Sequence, residues 1–466
     1  MEEGFSAKDQ PGDYMSTNAD HDRDEGSGFN RRQFLALAGG ASSACLIAAV
    51  LGPRLWEEFF GSKSARPAVG NKFSIPSTVS GTKKVVLITL YGGNDGLNTV
   101  IPYQDSIYYS NRAALAIEPS KVLPLGHGYG LNPVMTGFKQ LWDEKRLGIV
   151  QGVGYSNPSF SHFQSMDIWQ SGVPNEPTST GWLGRWLDAT NSSPLKAVSI
   201  GPTMPTLLVG NKVQGATIPP GNLILPGNSQ DQFLYQTLSQ IQPGEPELMK
   251  EAAASGSNLL ALARSMGPII ASSMTNDPLH LNGTDTKELA ASNGAALAIA
   301  NGGGGVSSPN VLATQLSIVA NLILADAAPL VYSVELGGFD THADQSPTQD
   351  RLLAQLDTAV SAFVKAMENT EQGHQVTVVI YTEFGRRVNT NSSGGTDHGW
   401  ANNVFIVGPS TIGGFYGAPS DLSRLQEGNL VYTTDFRSVY ATVFDKILGV
   451  DPKSFLGSKF STLPVV

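Results

Sequence analysis

The sequence predicts an α/β fold with a mostly parallel central sheet, on three observations. Apolar runs rich in Val, Ile and Tyr recur at Lys84–Leu90, Leu330–Leu336 and Val376–Thr382, with a fourth at Asn402–Gly408. Continuous runs of this kind suit strands buried on both faces. Between the second and third runs, Leu352, Leu353, Leu356, Val360, Phe363, Val364 and Met367 share one helical face. A strand, a long helix and another strand make a parallel crossover. Finally, polar strings sit directly beside the runs: Tyr91-Gly92-Gly93-Asn94-Asp95-Gly96, Gly337-Gly338-Phe339-Asp340-Thr341-His342, Glu383-Phe384-Gly385-Arg386, and Asp397-His398-Gly399 just before the fourth run. Open α/β sheets bind ligands at the carboxyl ends of their strands, so these strings define one candidate rim.

The remaining elements follow in order. Phe138–Asp143 reads as helix and Leu147–Val150 as a short strand. Ser161–Gln170 reads as a helix that places Ser161 and His162 near its N-terminus, where backbone N–H groups favour an anion. Trp182, Leu183, Trp186 and Leu187 mark an amphipathic helix. Gly201–Asn228 is rich in Pro and Gly and reads as loops with short strand pieces, and Glu245–Met266 reads as helix. Leu281–Pro309 is a low-complexity run of Gly, Asn, Ala and Ser. Leu312, Leu316, Ile318, Val319, Ile323 and Leu324 open a helix that restores the pattern, and Asp435–Leu448 adds a last one. The expected domain is 73–466, with a loop-rich and low-complexity insertion at about 205–310.

Ahead of it, residues 1–65 read as an acidic leader followed by an address. Asn30-Arg31-Arg32-Gln33-Phe34-Leu35 and the mild apolar run Ala36–Leu51 resemble a bacterial twin-arginine signal. The expectation is export through the twin-arginine machinery to the periplasm or beyond, with N-terminal membrane anchoring if the signal stays uncleaved. The single cysteine, Cys45, lies inside this segment. That excludes a disulfide, a Cys-ligated zinc and a cysteine nucleophile in the body. A net charge of −10 and the lack of a Lys/Arg stripe argue against nucleic acid.

Of seven histidines, three stand beside predicted strand or helix ends: His162, His342 and His398. Any one could be an ordinary hydrogen-bonded residue; three, each close to a carboxylate or hydroxyl, point to a site. Imidazole with carboxylate suits Zn, Mn or Ca. Asp340 and His342 are two apart, so an extended strand end lets both reach one ion. Glu383 follows a strand that should be wholly buried, where an acid is costly unless paired or metal-bound. Arg386 either pairs with it or clamps a tetrahedral oxyanion. Asp95 caps the turn behind Gly92-Gly93 or binds metal. There is no H-E-x-x-H, Walker A loop, G-x-S-x-G or intact G-x-G-x-x-G.

Together with Ser161-His162-Phe163 and Trp169-Gln170-Ser171-Gly172, these strings resemble the DUF1501 family, from about Lys83 to the C-terminus. That family looks like a branch of the alkaline phosphatase/sulfatase superfamily. The resemblance implies a three-layer α/β/α sandwich and a metal-dependent hydrolase of phosphate or sulfate esters. By position it implies Ser161 as nucleophile, Asp95, Asp340, His342, Glu383 and His398 as ligands of a divalent metal (Zn, Mn, Mg or Ca), and an anionic ester as substrate. Two departures stand out. Glu383-Phe384 replaces a later Asp-His pair, and the Asp340/His342 pair is more tightly spaced than in typical phosphatases. His162 stands where it could take over part of the missing ligand's work. The alternative is a non-catalytic exported binding protein that keeps the fold; a metal-free Ser/His esterase is a third reading.

Overall fold

The computed structural model describes residues 83–466 apart from 113, 175–177, 191, 221–222, 224–228, 274–275 and 282–309. The expected leader and twin-arginine signal, and most of the low-complexity run, lie outside the described residues. The chain opens with β1 (Lys84–Leu90), β2 (Val100–Ile101), α1 (Ser106–Asn111), β3 (Leu123–Gly126), β4 (Tyr129–Leu131), α2 (Thr136–Asp143) and β5 (Leu147–Gly154). Next come α3 (His162–Ser171), α4 (Trp182–Ala189), β6 (Ala197–Ile200), β7 (Ala216–Ile218), α5 (Ser229–Leu238), α6 (Glu247–Ser273) and α7 (Val311–Leu324). The rest is β8 (Val331–Leu336), α8 (Gln345–Glu368), β9 (Val376–Tyr381), β10 (Asn402–Val407), β11 (Gly414–Tyr416), β12 (Thr434–Asp435), α9 (Phe436–Thr442) and α10 (Lys453–Leu456). No described helix is long and apolar enough to cross a membrane.

The main sheet has the order β11-β5-β10-β9-β1-β8-β6-β7, with β12 also paired to β5; β2, β4 and β3 form a small second sheet. β1 lies parallel to both β8 and β9, and β6 joins β8 and β7 in parallel. β10 alone is reversed: it is antiparallel to β9 on one side and to β5 on the other. Its beginning, at Asn402, therefore lies on the edge where its neighbours end.

All seven residues of β1 are buried. Val86, Ile88 and Leu90 face one core, built from Phe138 of α2, Met266 of α6, Leu316 of α7 and the Leu352–Met367 stripe of α8. Val85 and Leu87 face the other, built from Trp169 of α3, Trp182 of α4 and Phe436 and Tyr440 of α9. The sheet is thus covered on both faces, a three-layer sandwich. Each buried Val, Leu or Ile contributes about 1.5–3 kcal/mol relative to exposure, which is why such runs settle at the centre. The long α8 crossover carries the chain from β8 to β9 across β1, as the sequence predicted. The segment expected as an insertion also feeds the sandwich. β7 extends the sheet, with Ala216 opposite Val198, and Leu262, Met266 and Ile270 of α6 enter the first core.

Candidate metal centre

The rim is assembled around the turn after β1. Gly92 has φ +117°, and a Cβ there would lie 2.4 Å from the backbone N of Asp340. Only glycine allows the loops after β1 and β8 to touch this closely. The same turn holds the loop after β9. The Gly92 N–H donates to Glu383 Oε1 at 2.8 Å, and the Gly93 carbonyl accepts from Arg386 Nε at 2.7 Å.

Three imidazoles converge on Asp340. His162 Nε2 lies 3.3 Å from Asp340 Oδ2, and His342 Nε2 and His398 Nε2 each lie 3.1 Å from Oδ1. His342 Nε2 and His398 Nε2 are 2.9 Å apart. Every ring is oriented through its other nitrogen. His398 Nδ1 is 2.7 Å from the Phe160 carbonyl, His162 Nδ1 is 2.8 Å from Glu383 Oε1, and His342 Nδ1 is 3.3 Å from Asp397 Oδ1. These partners only accept, so each Nδ1 is placed to donate, and a ring held neutral in that tautomer would turn its Nε2 lone pair toward Asp340. Histidines that hold metals are oriented in this way, by donating their other N–H to a carbonyl or carboxylate. Nitrogens gathered this closely around a carboxylate call for positive charge among them, as a bound cation or as ring protons. His162 Nε2 is buried without a hydrogen-bond partner. Ligand atoms of His162, Asp340 and His398 all lie within 4.8 Å of one another. The donor set, nitrogen with carboxylate oxygen, fits a divalent cation such as zinc or manganese.

The electrostatics favour an ionised Asp340 and a neutral His398, and draw His162 toward its protonated form. Burial alone would raise the Asp340 carboxyl, but the hydrogen bond from Arg386, the His398 ring at hydrogen-bond distance and the charges of Arg386 and His162 hold it down at about 2. Its ionised form is therefore the resident one. The hydrogen bond to Glu383 raises the His162 pKa against the opposing effect of burial. Burial lowers that of His398, favouring the neutral ring.

Other residues singled out in the sequence take different places. Glu383 is buried, and its carboxylate is filled by Gly92 N–H, His162 Nδ1–H and the Thr382 hydroxyl. It orients a histidine from behind instead of facing the shared point. Arg386 is equally buried and does not pair with Glu383. Its guanidinium is spent on the carbonyls of Gly92, Gly93, Phe339 and Thr396 and on Asp340 Oδ1 at 2.8 Å. Those contacts fasten three loops together and leave no open face for an oxyanion. Asp95 is fully buried and turned onto Arg112 and Gln345, away from the three Nε2 atoms. Its other oxygen caps the turn through Leu97 N–H at 3.1 Å, the turn-capping reading of the sequence. Ser161 is the exposed N-cap of α3; its Oγ accepts from Gln164 N–H at 3.5 Å.

Sequence reasoning assigned no role to Asp397, although it stands in the Asp397-His398-Gly399 string. It also missed the Phe160 carbonyl, a backbone group that no motif exposes. Phe384 is buried, with its ring centre 4.9 Å from that of His162 and 4.6 Å from that of His398. It forms an apolar wall beside the imidazoles.

Fold comparison finds similar solved structures. One is a protein in the alkaline phosphatase superfamily from Vibrio parahaemolyticus, at 10% identity over 93% of this chain and 80% of that one, with a TM-score of 0.36. The PsFucS1 sulfatase from Pseudoalteromonas sp. matches at 11% identity over 82% and 71%, also with a TM-score of 0.36. The alkaline phosphatase from the Antarctic bacterium TAB5 matches at 9% identity over 72% and 95%, with a TM-score of 0.30. No curated protein matches the sequence. A family model described as "Protein of unknown function (DUF1501)" spans residues 82–460, and the chain belongs to the DUF1501 family.

Proposed function

We propose that this protein is a metal-dependent hydrolase of anionic esters, of the phosphate or sulfate class, with Ser161 as nucleophile. The observation that carries the reading is the convergence of three imidazole Nε2 atoms on the Asp340 carboxylate, each ring held through its Nδ1 by an acceptor elsewhere. His162, His342, His398 and Asp340 would hold the cation. What the cation supplies when bound is charge neutralisation and polarisation of the ester oxygens. Glu383, the Phe160 carbonyl and Asp397 keep the three rings in register. Ser161 precedes His162 and is open to solvent, with no acceptor for its hydroxyl proton among the described residues. Its Oγ forms the bond to phosphorus or sulfur as the alcohol departs, its proton passes to solvent, and water then releases the serine ester. The first-turn N–H groups of α3 favour the anion at that place. With the Arg31-Arg32 leader, we read the protein as exported by the twin-arginine route to the periplasm or beyond.

A second reading is an exported protein that binds an anionic ligand without turning it over. The engaged guanidinium of Arg386 favours it, because no arginine remains to stabilise a transition state at that position. Metal-stripped protein, reloaded separately with Zn, Mn, Mg and Ca, decides between them on aryl phosphate and aryl sulfate. Turnover that needs a metal and is lost in Ser161→Ala supports the hydrolase. Equal turnover in that variant removes Ser161 from the chemistry, and metal binding without turnover favours the second reading.

A further inference from the structure

The residues around Ser161 and His162 include a feature that the chemistry of the ester group does not use. Phe163 is 87% exposed and Phe160 is 40% exposed. A phenylalanine side chain gives up much of its favourable transfer from water when left open in this way. Neither position is demanded by the helix: Phe is a middling helix former, and the cap is made by Ser161. Phe160 is bound into the site nonetheless, and Phe163 stands open beside it at the start of α3. Phe160 is the residue whose carbonyl orients His398, and Phe163 directly follows His162. Trp400, two residues beyond His398, brings its ring centre within 6.4 Å of that of Phe160, at an interplanar angle of 33°. Phe160 and Trp400 thus form one aromatic pair joining the chain before α3 to the chain before β10, next to the residues that hold His398.

Charge narrows what could lie against them. Asp340 and Asp397 are both exposed at the same mouth, with side-chain exposures of 47% and 55%. Arg386, the nearest cation, is spent on carbonyls and Asp340. A polyanion would meet these carboxylates with only Arg387, beside Asp397, left to offset them. An uncharged ring would meet aromatic faces.

We propose that Phe160, Phe163 and Trp400 form a rim that binds the alcohol part of the substrate. The rim would select esters of uncharged, ring-bearing alcohols, sugar or aryl, over esters of small acyclic alcohols. This rests on the ester-hydrolase reading for its substrate, and a binding experiment separates the two. Calorimetry compares benzylphosphonate, a hexose 6-phosphonate and methylphosphonate on zinc-loaded wild type, Phe163→Ala and Phe160→Ala. Wild type should prefer one or both ring ligands to methylphosphonate by about 10-fold, the scale of one aromatic contact plus its buried area. Each variant should lose most of that preference. Preference for the benzyl ligand alone assigns the rim to aryl alcohols, and for the hexose ligand alone to sugars. Equal affinity for all three in wild type, or an undiminished preference in both variants, overturns the rim. Binding of phosphatidylcholine vesicles that is lost in Phe163→Ala, with no ring preference, makes the pair a membrane contact and also overturns it. Parallel assays with 4-nitrophenyl phosphate and sulfate report on hydrolysis alone, so loss of that reading is distinguishable.

Discussion

His162 Nδ1 lies 2.8 Å from Glu383 Oε1, across 221 residues of sequence, and the carboxylate it meets is also held by the backbone of Gly92. One buried acid therefore fixes both a histidine on α3 and the turn after β1. Glu383→Gln keeps the shape but weakens the acceptor and allows the amide to face His162 with a donor. Removing such an orienting partner costs about 10–100-fold in metal affinity. Zinc titration by calorimetry should show that loss at unchanged stoichiometry. Unchanged affinity would mean that His162 is not a ligand.

Asp95 separates a ligand role from a structural one. The Arg112–Asp95 pair is almost wholly buried, with side-chain exposures of 0% and 1%. Asp95→Asn leaves a buried guanidinium without its counter-charge, which should cost about 3–5 kcal/mol of stability. Adding Arg112→Met should recover much of it, because replacing both partners removes the stranded charge. Denaturant unfolding measures both changes. Metal stoichiometry should stay that of wild type in the double variant, and its loss would return Asp95 to the ligand set.

Gly92→Ala should damage the rim although it adds a single methyl group. The left-handed backbone alone costs about 1–3 kcal/mol, and the methyl group would press on the Asp340 backbone at 2.4 Å. Zinc affinity and thermal stability should fall together. A variant with wild-type values for both would show that the two loops are not in contact.

Glu335, on β8, supplies a pH test away from the candidate metal centre. Burial raises its carboxyl pKa. A raised acid contributes its stability fully below the unfolded value, about 4.3, and loses it as pH climbs through the folded pKa. Glu335→Gln should therefore raise the melting temperature at pH 8 and change it little at pH 4. Equal shifts at the two pH values would place the carboxylate in a solvated environment.

Much of the frame was legible because β1, β8 and β9 are continuous apolar runs and α8 carries a clean stripe, patterns that burial on both faces imposes. Short strand pieces are expected around β7, but its place in the main sheet was not legible, since three residues among Pro and Gly carry no period. In the site, Asp340, His342, His398 and His162 could be found by residue type and position. The roles of Glu383 and Arg386 could not. Their partners are mostly backbone groups of Gly92, Gly93, Phe339 and Thr396, brought close by the fold and silent in the sequence. Arg112 went unnoticed for a related reason: nothing in its neighbourhood distinguishes a buried counter-ion from a loop arginine.

The reversal of β10 sets the order in which this protein can become competent. His398 reaches the rim only because the strand that follows it enters the sheet from that edge, between β9 and β5. Its ring then locks onto Phe160, 238 residues earlier. A nascent chain that has already emerged through Arg386 holds Asp340, His342 and Glu383 but lacks the third imidazole. Assembly of the His162, Asp340, His342 and His398 cluster is thus tied to the last quarter of synthesis and waits on the pairing of β10 between β9 and β5.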